Sequence, residues 1–157
     1  MSLEIFPADT TAPDVRHLIE AHLEFGHTSY PNESCHHLTL EQYQTDDLLL
    51  FAAREGEVCL GILGLMRLDA TSAEVKSMHV HDRARGRGIG MALVAYIIKH
   101  AEQTEIETLY LGTGSRDASA PARRLYERAG FSRCAPFGTH ASSPESVFMS
   151  LEIRITE

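Results

Sequence analysis

Apolar residues along this chain gather into short stretches separated by polar turns. Two such stretches, residues 48–54 and 58–68, flank a Glu-Gly-Glu turn and predict a β-hairpin. Residues 73–80 follow a second polar turn and predict a third strand. A shorter strand is expected at residues 3–6, before Pro7. Three consecutive antiparallel strands are therefore expected in the first half of the chain.

Three other stretches carry the apolar spacing of helices. Val15, Leu18, Ile19 and Leu23 recur at helical intervals and predict a helix that reaches about Gly26. Residues 91–100 present a wide apolar face, which is typical of a helix buried against a sheet. Residues 120–129 have a proline in the first turn and a glycine just past the end, as helices commonly do.

The remaining stretches complete one predicted domain covering residues 1–157. Strands are expected at residues 108–113, from residue 131 and at residues 146–155. Residues 28–47 are the least regular part, with a short helix expected around residues 40–44. No repeat, low-complexity tract or linker divides the chain, and 157 residues suit a single core.

Composition and charge narrow the possible functions. A net charge of −8 argues against broad nucleic-acid binding but favours a cationic amine as substrate. No apolar run approaches the length of a membrane span and no secretory leader pattern is present, so we expect no membrane association and a cytoplasmic location. The three cysteines lack the spacing of a disulfide framework or a zinc site.

The junction between the third strand and the next helix holds the strongest chemical signal. Arg85, Gly86, Arg87, Gly88 and Gly90 lie where a strand passes into a helix. Glycines allow close approach of a ligand, and a helix start offers unpaired N–H groups, so this turn predicts a phosphate-binding cradle. It lacks the lysine of a P-loop and the third glycine of a dinucleotide fingerprint.

Two motifs in this order carry a family resemblance. The first is R-x-x-G-x-G at Arg85, Gly88 and Gly90, and the second is Leu-Tyr-x-x-x-Gly-Phe at residues 125–131. Together they resemble the GCN5-related N-acetyltransferase (GNAT) family over almost the whole chain. Further runs at residues 74–78, 111–114 and 121–126 are similar to a bacterial subgroup of small acetyltransferases, the YsnE-like proteins.

The resemblance implies an α/β (α+β) acyl-CoA N-acyltransferase fold, with a mixed, mostly antiparallel sheet flanked by helices. It implies an enzyme that uses acetyl-CoA as cosubstrate and needs no metal. The implied coenzyme-binding residues are Met78, His79 and Val80 for pantetheine, Arg85, Gly86, Arg87, Gly88, Ile89 and Gly90 for the diphosphate, Ser119 where many members have an asparagine, and Arg123 for the 3′-phosphate. For Arg123 a solvated position on a helix face is an equal alternative.

The resemblance also implies the catalytic residues. Glu74 matches the position of the family's glutamate and is the leading candidate base, acting through water; the alternative is a structural carboxylate paired with Arg67 or Lys76. Tyr126 is the candidate proton donor to the departing thiolate, because a phenol stays protonated at neutral pH; the alternative is an ordinary half-buried tyrosine. His79 is a reserve base.

The acceptor is expected to be the primary amine of a small molecule or an amino-acid-like metabolite. Tyr30, Glu33, His36 and His140 are weak candidates for binding it, because they lie in polar segments of the kind that select substrates. His140 stands where the YsnE-like subgroup usually has a tyrosine. Acetylation of a protein or peptide, and a non-catalytic acyl-CoA sensor, remain open, and a homodimer is possible.

Overall fold

A seven-stranded mixed sheet forms the centre of the computed structural model, which describes residues 3–29, 48–138 and 140–153. The strands lie in the order β1-β2-β3-β4-β5-β7-β6. In chain order the elements are β1 (Leu3–Pro7), α1 (Pro13–Ser29), β2 (Leu48–Glu55), β3 (Val58–Arg67), β4 (Ser72–Val80), α2 (Ile89–Gln103), β5 (Thr108–Gly114), α3 (Ala120–Ala129), β6 (Ser132–Arg133) and β7 (Ser146–Glu152).

The two faces of the sheet are covered by different helices. Side chains alternate along β2, so Leu50 and Ala52 pack with Val15 and Ile19 of α1, whereas Phe51 and Ala53 join the cluster around α2. The second cluster is the larger and also holds apolar residues of α3, β5 and β7. The chain is thus a three-layer arrangement with the sheet in the middle.

Most of the sheet is antiparallel, and the exception lies at its centre. β4 and β5 are parallel, and their pairing extends only from Ser72 opposite Thr108 to Val75 opposite Leu111. Both strands continue beyond that point, β4 to Val80 and β5 to Gly114. Each is still held on its other side, β4 by β3 and β5 by β7. The sheet therefore opens between β4 and β5.

The sequence-based predictions of the elements agree with this architecture. The three antiparallel strands before the glycine turn, the helix after it and the GNAT-type sheet are confirmed. The strand expected from residue 131 is only Ser132–Arg133, because β6 pairs with just two residues of β7. The expected short helix at residues 40–44 lies outside the described residues. No helix among residues 3–29, 48–138 and 140–153 is both long and apolar enough to span a membrane.

Helix α1 is fastened to the β2–β3 hairpin by one carboxylate. Asp14 accepts hydrogen bonds from Arg54 at 2.7 Å and from the N–H groups of Val15 and Cys59 at 2.9 and 3.2 Å. The hydrogen bond from Arg54 holds the pKa of the Asp14 carboxyl below its usual value. This contact fixes the start of α1 over the sheet.

We expect Asp14→Asn to lower the free energy of unfolding by about 1 kcal/mol, because charge-assisted bonds to a half-exposed carboxylate are lost. The folded-state pKa of Asp14 is depressed, so its stabilisation is complete above pH about 4 and disappears as the pH falls through the folded value. Urea denaturation from pH 7 down to pH 3 measures the difference between variant and wild type, which should shrink on acidification. Glu20→Gln, which removes only an exposed pair with Arg16, is the control; a difference that stays constant at pH 3 contradicts the assignment.

Candidate active site

A cavity of about 690 Å³ lies where β4 and β5 part. Its walls are the second half of β4, the glycine turn, the end of β5 and the first turns of α3, and His22 and Phe25 of α1 close one side. The polar main-chain groups of a strand that has lost its neighbour are available to an extended ligand that lies along it. The opening in the sheet therefore supplies both a volume and a recognition edge.

A β-bulge in β4 decides which side chains face which side of the cavity. Ile62 of β3 pairs with His79 and Gly64 pairs with Lys76, so three residues of β3 lie opposite four of β4. Within this bulge Ser77 adopts a left-handed φ of 60°. An extra residue reverses the alternation of side chains beyond it. Met78 consequently packs with the α2 side, whereas His79 faces α1.

The glycine turn has the geometry of an anion cradle. Gly86 and Gly88 have φ values of 81° and 79°, and no atom of the described residues lies within 4 Å of where either would carry a Cβ. Gly88 is the N-cap of α2, and the first N–H to bond within that helix is that of Ala92, to the Gly88 carbonyl. The N–H groups from Ile89 to Met91 are left for a ligand, at the positive end of the helix dipole.

Gly90 serves a different purpose, because it lies against α3. A Cβ there would stand 2.7 Å from Leu125 Cδ1 and 3.7 Å from Met78 Sδ. Only glycine lets α3 approach this closely. The cradle and the residue after Leu125, which is Tyr126, are therefore held in one packed unit.

The three arginines proposed for the coenzyme's phosphates differ in their surroundings. Arg85 lines the cavity and forms an exposed ion pair with Asp82 at 3.0 Å. Arg87 lies 2.6 Å from Glu55 and is outside the cavity lining. Arg123 donates to the carbonyls of Gly114 and Arg116 at 2.6 and 2.9 Å, and so closes the turn between β5 and α3. Of the three, Arg85 alone lines the cavity in the described part of the chain.

Tyr126 is a buried tyrosine in the cavity wall. Its side chain is 6% exposed and its ring meets Phe131 edge-to-face at 5.8 Å. Burial raises the pKa of the phenol well above its ordinary value, so the hydroxyl stays protonated. Within the described residues this hydroxyl has no hydrogen-bond partner. A buried donor without a partner is costly, and a ligand in the cavity would satisfy it.

Glu74 is buried in a compact polar cluster. It is 5% exposed; its Oε2 lies 3.2 Å from Lys76 Nζ and 3.2 Å from His140 Nε2. Of the two structural partners that the sequence offered, Lys76 makes the contact, whereas Arg67 bonds to the carbonyls of Asp69 and Ala70. His140 in turn packs on Phe137, with ring centroids 4.9 Å apart.

A second polar contact lies on the α1 side of the cavity. His22 Nδ1 and His79 Nδ1 are 3.4 Å apart, and the two rings meet edge-to-face with centroids 5.4 Å apart. Burial, with a smaller contribution from Arg85, lowers the pKa of His79 to about 4. His79 is therefore uncharged at neutral pH.

The cavity brings together most of the residues that the sequence singled out. It is lined by Glu74 and Tyr126, and by nine of the eleven proposed coenzyme contacts: Met78, His79, Val80, Arg85, Gly86, Gly88, Ile89, Gly90 and Ser119. His140 reaches the site through Glu74 rather than by lining the cavity. The proposed substrate residues Tyr30, Glu33 and His36 lie outside the described residues.

Sequence analysis did not identify His22 and Phe25 as site residues. Both belong to α1, far before β4 in the chain, and no local motif marks them. The one available signal was the abundance of histidines in the first part of the chain, which indicates no particular role. In the part of the chain that the structure describes, no group of three metal-ligating side chains comes together.

Comparison with known proteins identifies the family of this chain. The model of the acetyltransferase (GNAT) family matches residues 13–131. The "uncharacterized N-acetyltransferase YsnE" of Bacillus subtilis (strain 168) is 35% identical over 145 residues, which are 92% of this chain and 96% of that protein. The "IAA acetyltransferase" of Azospirillum brasilense is 35% identical over 122 residues, covering 76% of this chain and 78% of that protein.

The fold is shared with many solved structures. A GNAT acetyltransferase from Staphylococcus aureus Mu50 superposes with a TM-score of 0.76 at 20% identity, covering 98% of this chain and 100% of that one. Structures of this fold have been determined with coenzyme A or acetyl-CoA bound. The match to the family model and the identity to YsnE show that this chain belongs to the GNAT family of acetyltransferases, enzymes that take their acetyl group from acetyl-CoA.

Proposed function

We propose that residues 1–157 form one N-acetyltransferase domain that acetylates a primary amine of a small molecule or an amino-acid-like metabolite. One observation carries the proposal: a single cavity has an open glycine cradle at one end and the unpartnered hydroxyl of buried Tyr126 in its wall. The cradle suits a diphosphate, and the hydroxyl suits a leaving group that needs a proton.

The chain's own groups account for coenzyme binding. The main chain of Met78 to Val80 faces the opened sheet and can pair with the amides of a pantetheine arm, as an added strand would. The cradle N–H groups and the Arg85 side chain can hold the diphosphate through charge-assisted bonds. Arg87 and Arg123 would have to leave Glu55 and the main-chain carbonyls to reach a phosphate.

Acetyl-CoA supplies an acetyl thioester. The amine nitrogen forms a bond to the carbonyl carbon, the carbon–sulfur bond breaks, one proton leaves nitrogen and one is added to sulfur. Tyr126 donates the proton to the sulfur, and the Val80 N–H stabilises the negative charge that develops on the carbonyl oxygen. Two roles suit Glu74: proton acceptor through water, or a structural carboxylate held by Lys76 and His140.

A small acceptor is favoured by the electrostatics and the size of the site. The net charge of −8 attracts cationic amines to the protein. The cavity of about 690 Å³ must hold the coenzyme's reactive end as well as the acceptor, which leaves a modest volume. Acetylation of a peptide or protein amine is the second candidate, and intact-mass measurement after incubation with peptides distinguishes the two.

Tyr126→Phe tests the proposed proton donor. We expect kcat to fall about 100-fold, because a positioned general acid contributes this much or more. The affinity for acetyl-CoA should stay within about twofold, and stability should not decrease, because the lost hydroxyl has no partner in the free protein. Thiol release from acetyl-CoA with a panel of small amines measures the rate. Tyr96→Phe, on α2 against Phe51, is the control; a Tyr126→Phe variant as fast as wild type would refute the role.

Gly88→Ala tests the cradle. The added methyl group enters the open space proposed for the diphosphate, and the dissociation constant of coenzyme A should rise tenfold or more, since about 1.4 kcal/mol of charge-assisted bonding is lost. The left-handed φ of 79° also costs about 1 kcal/mol of stability. Gly56→Ala, at φ 64° in the β2–β3 turn, imposes the same strain away from the cavity. Calorimetry showing equal coenzyme affinity for both variants would place the diphosphate elsewhere.

A further inference from the structure

Two polar groups in the cavity are candidates for the proton acceptor of the reaction: Glu74 and the pair formed by His79 and His22. Glu74 shares its carboxylate between the Lys76 ammonium and the His140 imidazole, at 3.2 Å each. All three side chains are largely buried, with 6%, 11% and 15% of their surfaces exposed. Both contacts are made to the Oε2 atom of Glu74, and the buried Lys76 ammonium depends on this carboxylate as its partner charge.

The histidine pair offers a different arrangement. His79 lies on β4 beyond the bulge, so its ring faces α1 and meets His22 across the wall of the same cavity. Two Nδ1 atoms in contact require one to carry hydrogen and the other to present its lone pair. In the tautomer in which His79 donates to His22, Nε2 of His79 is a proton acceptor.

We propose that His79, backed by His22, accepts the proton that the acceptor amine loses during acetyl transfer, and that Glu74 is a structural carboxylate. The proposal rests on the acetyltransferase function proposed above. As the amine nitrogen bonds to the carbonyl carbon, its N–H becomes acidic. His79 Nε2 takes that proton, and the Nδ1 proton of His79 passes to His22 as the carbon–sulfur bond breaks and Tyr126 protonates the sulfur.

The groups around His79 keep its imidazole unprotonated, which is the form that can accept the proton of the amine. Among the described residues, the charged and titratable groups around it include His17 and His22 from α1, and His81, Asp82 and Arg85 from the turn after β4. Burial and Arg85 disfavour the imidazolium, and Asp82 favours it only in part. The imidazole is therefore neutral throughout the physiological pH range, and the rise of rate with pH should follow deprotonation of the acceptor amine instead.

Chemical rescue tests the assignment. We expect His79→Ala to retain about 1% of the wild-type kcat with a nearly unchanged KM for acetyl-CoA, because a general base is lost and the coenzyme contacts remain. Added imidazole should restore activity in proportion to its unprotonated form across pH 6 to 8. His79→Gln, which fills more of the space, should be equally slow and should not be rescued. EDTA is present throughout, so that a metal held by two imidazoles plays no part.

Matched variants complete the design. His17 lies on α1, the helix that also carries His22, but outside the cavity lining. His17→Ala should therefore behave as wild type with and without imidazole. His22→Ala should lose about tenfold in kcat and become sensitive to buffer concentration, because the relayed proton must then pass to solvent. Glu74→Gln should lower kcat less than His79→Ala does, at a temperature where it is folded, and imidazole should not change its rate.

The outcomes separate the two proposals. A His79→Ala variant with wild-type kcat overturns the inference. So does a loss that imidazole does not relieve in a variant that still binds acetyl-CoA, and so does a Glu74→Gln variant as slow as His79→Ala. Absence of thiol release by the wild-type protein with every amine contradicts the proposed function itself, and the inference falls with it.

Discussion

The site depends on an interruption in the hydrogen-bond ladder between β4 and β5. Four residues of each strand pair, and then the strands separate while each stays bonded to its other neighbour. An open edge inside a sheet is unfavourable unless something pairs with it, because buried N–H and C=O groups need partners. The free energy of the fold is supplied by the outer strand pairs and the two apolar clusters, which leaves the centre free to bind an extended ligand.

The order of the elements places the glycine turn and Tyr126 on either side of that opening. β4 leads directly into the glycine turn and α2, so the cradle lies at the end of the strand that lines the cavity. β5 leads into α3, which forms the opposite wall and carries Tyr126. Gly90 couples the two, because its missing side chain lets Leu125 pack against the start of α2. The proposed diphosphate cradle and the proposed proton donor are thus positioned by one packed contact.

Local chemistry could be predicted from the sequence, but long-range contacts could not. The glycine turn, Tyr126 and the strand order follow from short motifs and apolar spacing, and the structure places the motif residues in one cavity. The partner of Arg87 is Glu55, on a strand far earlier in the chain, and no motif records such a contact. The bulge at Ser77 was also invisible, because serine has no strong preference for a left-handed φ. That single residue decides that His79 faces α1.

The bulge also decides which β4 side chains face the proposed coenzyme-binding side of the cavity and which face α1. Before it, Glu74 and Lys76 face away from α2; after it, Met78 and Val80 pack on the α2 side, next to the cradle, while His79 faces α1. The groups proposed to hold the coenzyme belong to the turn, α2 and α3, whereas α1 closes the other side of the cavity with His22 and Phe25. Phe137 and His140 lie on a loop outside the cavity lining, and His140 contacts Glu74, which does line it. Glu74 on β4 contacts His140 and so anchors this loop to the strand. The Glu74 carboxylate would therefore shape the proposed acceptor side of the cavity even if it takes no proton.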